Sequence, residues 1–136
     1  MLAACAVTAP PPDANSPSDS SSADLTCSFP SNCASSRGNG ALEPLRFVGT
    51  TAQAMAVLQA TLKTFPEATI VRAGPLSLEV VFTTPVGFKD QVDFQIDAQA
   101  LRVDFRSRSL LGLFDFGKNR SRMQEFAARF DKQARP

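Results

Sequence analysis

Charged and polar residues are concentrated between the last predicted strand and the last predicted helix. In chain order they are Arg106, Asp115, Asn119, Arg120 and Arg122. Two glycines in the same segment permit unusual backbone angles, and the free N–H groups of a helix N-terminus attract anions. Arginine is suited to hydrogen-bonding carboxylates and phosphates. This combination predicts an anion-binding site made by these five residues.

A structural role accounts for the same residues without a ligand. Arginines at a helix N-terminus are unfavourable against the helix dipole alone, so we expect them to face a carboxylate. That carboxylate belongs either to a ligand or to the protein's own Asp115 or Asp90. In the second case, ion pairs and capping by Asp115 or Asn119 would explain the segment. Phe114 and Phe116, which flank Asp115, are then expected to plug the core over the strand and helix ends.

The residues needed for familiar catalysis are largely missing. The chain contains no histidine, which removes the usual general base and the usual partner of a serine or cysteine nucleophile. Ser107 and Ser109 fall on one face of the predicted strand, as hydrogen-bonding groups at its end. Cys27 and Cys33 alone fall short of the four nitrogen or sulfur ligands of structural zinc. We predict no catalytic residue, no metal and no cofactor.

The first residues, Met-Leu-Ala-Ala-Cys, are similar to the lipobox of bacterial lipoproteins, which implies cleavage before Cys5 and lipidation of that cysteine. The charged and apolar region expected upstream is absent, so we expect trimming or a late start codon. Residues 6–24 are rich in Pro, Ser, Ala and Asp and cannot form a core. The predicted organisation is a lipobox remnant and disordered tether over 1–24, then one domain over 25–136.

Cysteine usage, like the lipobox, indicates export to an oxidising compartment. Three cysteines are an odd number, but if Cys5 carries lipid, Cys27 and Cys33 remain as a pair that would form a disulfide in an oxidising compartment. We therefore expect the bacterial cell envelope, on the periplasmic side. Ala6, in place of Asp, resembles lipoproteins sent to the outer membrane. The alternative is a cytoplasmic protein with a chance Cys5 and free thiols.

The elements that must position the predicted site follow from hydrophobic periodicity. Apolar residues recur at helical spacing over about 51–64, behind a capping-box pattern of Thr50 and Gln53, and again over about 119–134. Alternation with period two predicts strands at 45–48, 69–72, 76–83, 92–97 and 101–106. We predict an α+β fold: an antiparallel sheet of about four to five strands with both helices on its apolar face, the other face being polar and wet. Arg122 and Arg129 are expected away from the apolar face of the last helix.

The charge distribution argues against a nucleic-acid partner. Formal net charge is +1, although residues 99–136 hold nine Lys or Arg against four acids. The chain has no Trp or Tyr to stack on bases and no basic stripe across the whole domain. The partners we predict are the membrane, through lipidated Cys5, and an envelope protein or an anionic small molecule.

Two stretches carry a family resemblance. Residues 106–122 contain Arg-Ser-x-Ser-x-x-Gly-x-x-Asp-x-Gly-x-Asn-Arg-x-Arg, and residues 27–36 read Cys-Ser-Phe-Pro-Ser-Asn-Cys-Ala-Ser-Ser. Both resemble signatures of the domain-of-unknown-function family 1499, over roughly Cys27 to Phe130. The chain departs from the family pattern where Leu110 replaces an arginine and Gln124 a glutamate. The resemblance implies no reaction.

Two functional hypotheses result from these observations. The first is a non-enzymatic envelope lipoprotein domain that binds a partner protein or an anionic ligand, or supports the envelope. The alternative is a small enzyme or metabolite-binding domain whose anion pocket is rich in arginine.

Overall fold

A computed structural model describes residues 24–135, which form one antiparallel sheet with two helices on one face. The predicted α+β class is therefore confirmed, with six strands where four to five were expected. In chain order the elements are β1 (Cys33–Ser35), β2 (Leu45–Arg46), α1 (Thr51–Leu62), β3 (Ala68–Ala73), β4 (Ser77–Thr83), β5 (Lys89–Asp97), β6 (Arg102–Ser109) and α2 (Lys118–Ala134). Cys5 and the predicted tether up to residue 23 lie outside the described residues.

The sheet order is β1-β6-β5-β4-β3, and β2 also pairs with β6. Strands β3 to β6 form a meander in which every neighbour is antiparallel. Strand β1 pairs Cys33 with Arg108, near the end of β6, whereas β2 pairs Leu45 with Val103, near its start. The two short strands thus lie end to end along one edge of β6. The end of β6 that leads into α2 is thereby placed beside the cysteine-containing segment.

The apolar core lies between the sheet and the helices, as strand alternation requires. Phe126 of α2 stacks on Phe65 at 5.7 Å between ring centroids and lies 5.0 Å from Phe94 of β5. Burying a large apolar side chain contributes about 1.5–3 kcal/mol. The sheet contributes the following buried apolar residues to this core: Leu45, Leu78, Val80, Phe82, Val92, Phe94, Ile96, Val103 and Phe105.

Helix α1 begins at the predicted capping box. The Gln53 N–H donates to the Thr50 hydroxyl at 3.1 Å, and the Thr50 N–H donates to Gln53 Oε1 at 2.8 Å. These bonds satisfy two N–H groups that a helix N-terminus otherwise leaves unpaired. Among the described residues, no helix combines the length and the apolar character needed to cross a membrane.

The outer face of the sheet is polar, as predicted, but part of it is covered rather than wet. Asp104 is buried and accepts from Arg37 at 3.0 Å and from Arg102 at 3.1 Å. The segment before β1 crosses this face, where Arg106 donates to the carbonyl oxygens of Asp24 and Thr26. Sequence periodicity gave no indication of this cover, because residues 24–42 have no regular pattern.

Candidate functional site

Asn119 is the centre of a buried hydrogen-bond network at the start of α2. Its side-chain oxygen accepts from the Ser107 hydroxyl at 2.6 Å. Its side-chain nitrogen donates to the Asn32 carbonyl, to Ser109 Oγ and to Asp115 Oδ2, at 2.7–3.1 Å. Asn119 is fully buried, so these bonds replace the water it loses on folding. The network joins the end of β6, the segment before β1 and helix α2.

Arg122 pairs with the protein's own Asp90, one of the two carboxylates predicted for it. Its Nη2 lies 2.7 Å from Asp90 Oδ2, and Lys118 Nζ lies 2.9 Å from the same oxygen. Its Nη1 donates to Asn119 Oδ1 at 3.0 Å, and its guanidinium lies 4.8 Å from the Phe82 ring centroid. Arg122 is thus not directed away from the apolar face, which corrects the prediction. Its long side chain reaches back over the sheet to neutralise a buried acid.

Arg129, further along α2, is also not directed away from the apolar face, so the prediction was wrong for it as well. Its guanidinium lies 4.0 Å from the Phe65 ring centroid, and it also pairs with Glu125 at 2.9 Å. The aliphatic stem of an arginine covers apolar surface while its charged end stays in contact with water.

Asp115 caps helix α2 from outside it. Gly117 is the N-cap residue and has no side chain to cap with, so Asp115 accepts from the Gly117 N–H at 2.8 Å and the Asn119 N–H at 3.2 Å. Partial burial acts to raise the pKa of the Asp115 carboxyl, but hydrogen bonds from the Asn119 side chain and these two N–H groups outweigh it, so the pKa is lowered. The predicted capping role of Asp115 is confirmed.

Arg106 lies apart from Asp115, Asn119 and Arg122. Ser107 faces Asn119, so its neighbour Arg106 points to the outer face of the sheet. There its Nη2 lies 3.4 Å from Asp93 Oδ2. The five predicted residues therefore do not line one pocket: Asp115, Asn119 and Arg122 meet in the buried network, whereas Arg106 lies across the sheet.

Arg120 lies at the rim of a groove of about 950 Å³. One wall comes from the cysteine-containing segment and residues 37–40, and the other from residues 114–117 with the first turn of α2. The Arg120 guanidinium donates to the Gly40 carbonyl at 3.3 Å. It forms no ion pair with any acid in residues 24–135. Of the three predicted arginines, Arg120 is the one left available to an external anion.

A disulfide joins Cys27 to Cys33, with 5.7 Å between their Cα atoms. The predicted pairing is therefore present. The closed loop is tied to the loop between β6 and α2, because the Asp115 N–H donates to the Ser31 carbonyl at 2.9 Å and Asn32 Nδ2 donates to the Gly112 carbonyl at 3.0 Å. Ser31 and Asn32 were not predicted as site residues, although both stand in the cysteine stretch that resembles the family signature.

Phe114 and Phe116 do not plug the core, which corrects the expectation for them. Phe116 is 98% exposed and Phe114 72% exposed. The ends of β6 and α2 are closed instead by the polar network around Asn119, and both phenylalanines line the groove beside Arg120. Phe116 also adopts a left-handed backbone angle, with φ of 54°, which is unfavourable for a side chain of this kind.

The hydrogen bonds around Asn119 hold the end of β6 and the start of α2 together. The Ser107 hydroxyl donates to Asn119 and accepts from Arg122 at 3.3 Å, so among the described residues it contacts no group suited to act as a general base. Within residues 24–135, no group of three or more Cys, Asp or Glu side chains is placed to hold a metal ion. The geometry defines a small disulfide-bonded α+β domain with a charged groove. The chain belongs to the protein family of unknown function designated DUF1499, whose family model matches residues 9–130. A search of curated proteins found no match.

Proposed function

We propose that this chain is a non-enzymatic binding domain of the bacterial cell envelope that takes an anionic ligand in the groove beside Arg120. The supporting observation is the contrast among the three predicted arginines. Arg122 and Arg106 each face an acid of the protein itself, whereas Arg120 faces the groove with no acidic partner in the described part of the chain. An arginine in this state is suited to a carboxylate or phosphate.

The groove walls narrow the class of ligand. Pro30, Ala34, Phe114 and Phe116 contribute apolar surface, and the hydrogen bonds from Asp115 to Ser31 and from Asn32 to Gly112 fix one wall relative to the other. A ligand that joins a negative charge to a short apolar group matches this lining. Such a ligand is either a small molecule or an acidic segment of a partner protein.

Thermal unfolding of the full chain tests this proposal. Hexanoate should raise the melting temperature more than inorganic phosphate does, because its apolar chain also contacts the groove walls. A ligand that binds only the folded state stabilises it by about 2.7 kcal/mol at one hundred times its Kd. Arg120→Gln should abolish the shift. Arg46→Gln, in an exposed arginine of β2 outside the groove, should leave it unchanged. A shift that persists in Arg120→Gln, or no shift with either anion, contradicts the proposal.

Attachment through lipidated Cys5 is the second part of the proposal. The lipobox-like sequence supports it, and so does the Cys27–Cys33 disulfide, because structural disulfides persist in oxidising compartments. In cells expressing the native locus, the protein should stay with membranes that are washed in high salt, and Cys5→Ser should move it to the soluble fraction under the same wash. Recovery of both proteins in one fraction would contradict anchoring through Cys5.

The alternative of a small enzyme or metabolite pocket gains no support from the geometry. It needs Arg106, Asp115, Asn119, Arg120 and Arg122 around one ligand. Asp115 and Asn119 are instead occupied with capping and with the buried network, and Arg106 lies on the outer face of the sheet.

A further inference from the structure

Three loops meet at one end of the sheet, and each carries exposed apolar side chains. Because β5 starts opposite the end of β6, and β1 starts beside it, the β4–β5 turn, the β6–α2 loop and the disulfide loop all lie at this end. We call this end the loop face. Its exposed apolar residues are Phe29, Val86, Phe88, Leu110, Leu111, Leu113, Phe114 and Phe116.

We propose that the loop face docks onto an anionic lipid bilayer, with the apolar side chains of residues 110–116 inserted among the lipids. Exposed apolar residues that are grouped at one end of a small domain mark an interaction site, whereas singly scattered ones do not. The opposite end of the sheet carries fewer exposed apolar residues, namely Val48, Leu76 and Leu101.

The conformation of the β6–α2 loop directs these side chains outward. Gly112 has a φ of 91° and Phe116 a left-handed φ of 54°. Hydrogen bonds from Asn32 to Gly112 and from Asp115 to Ser31 hold this loop against the disulfide loop. A phenylalanine that is 98% exposed on unfavourable backbone has no stabilising role in the folded domain. Strained positions of this kind concentrate at functional sites.

The charges around the loop face select the partner. Lys89, Arg108 and Arg120 lie at this end and form no ion pair with acids in residues 24–135. The acids at this end of the sheet offer little exposed negative charge. Asp90 is buried against two cations, and Asp115 directs its carboxylate into the start of α2. Glu67, beside Thr83, is an exposed acid of the loop face. Protruding apolar side chains ringed by basic residues are complementary to a bilayer with negative headgroups.

The experiment uses the full chain with Cys5→Ser, so that no acyl chain contributes. This protein should co-sediment with vesicles made of equal amounts of phosphatidylglycerol and phosphatidylcholine, and salt should release it. It should bind vesicles of pure phosphatidylcholine more weakly. Phe116→Asn should weaken binding at least tenfold, because inserting a phenylalanine is worth a factor of ten or more. Asparagine tolerates a left-handed backbone, so the loop conformation is kept. Lys89→Gln should weaken binding about fivefold.

Val48→Ser is the matched control, since it removes an exposed apolar side chain from the opposite end, and it should leave vesicle binding unchanged. No binding to the anionic vesicles, or equal loss in Phe116→Asn and Val48→Ser, overturns the proposal. Self-association of the protein that Phe116→Asn abolishes, without vesicle binding, also overturns it and assigns the loop face to a protein contact. Phe114, Phe116 and Arg120 also line the groove, so hexanoate stabilisation is measured without vesicles and with Arg120→Gln as the variant, and the two proposals fail separately.

Discussion

Removing the charge of Arg122 should destabilise the domain, because this arginine is the better-buried partner of a buried carboxylate. The Asp90 side chain is only 1% exposed, and its Oδ1 has no hydrogen-bond partner among the described residues. Its charge is therefore stabilised through Oδ2, by Arg122 at 2.7 Å and Lys118 at 2.9 Å. Arg122→Met keeps much of the contact with Phe82 but deletes the better-buried cation.

The expected cost is about 3 kcal/mol. Breaking a buried pair by removing one partner costs about 3–5 kcal/mol, because the remaining charge is left unpaired. Lys118 stays in place, but its side chain is 37% exposed and therefore screened by water, so we expect the lower end of that range. For a domain of roughly 110 residues this lowers the melting temperature by about 12 °C.

Urea unfolding of the wild type and three variants measures the effect. Arg129→Met is the matched control, because that arginine also covers a phenylalanine but pairs with an exposed glutamate, and it should cost less than about 1 kcal/mol. The double variant Asp90→Leu with Arg122→Met should recover most of the lost stability. If Arg122→Met costs no more than Arg129→Met, the buried pair does not hold this region and the reasoning is refuted.

Two further predictions concern the site. Cys33→Ser should lower the free energy of unfolding by about 2 kcal/mol, since the cross-link constrains a short loop of the unfolded chain. Reducing agent should destabilise the wild type alone, and an equal effect on the wild type and Cys33→Ser would contradict this. Asp115→Ala should cost about 0.5–2 kcal/mol through loss of the cap. Because the folded-state pKa of Asp115 lies below its ordinary value of 3.8, this deficit should be full above about pH 5 and shrink as pH falls below 3.8. A deficit that is constant between pH 3 and pH 7 would show that the carboxylate charge does not contribute.

The regular elements were predictable because their periodicity is a local property. Period-two alternation located β4, β5 and β6, and the Thr50 capping box located the start of α1. Strand β1 was not predicted, since three residues show no alternation and its pairing with β6 depends on chain far away in sequence. The buried Asp104 of the outer face was missed for the same reason.

At the site, residue types were predictable and side-chain directions were not. Asp90 was foreseen as a partner of an arginine, and Asp115 as a cap. The exposure of Phe114 and Phe116 was not foreseen, because an apolar residue in a loop has no period to show which way it points. Arg106 and Arg122 are of one type, but they lie on opposite faces through strand alternation and the reach of a helical side chain.

The most direct test of an anchored, exported binding domain is the intact mass of the protein produced from its native locus, before and after reduction. We predict an N-terminal Cys5 carrying acyl chains and a mass that rises by two hydrogens when the Cys27–Cys33 disulfide is reduced. A protein without acyl chains, with both of these cysteines as free thiols, would contradict the envelope assignment.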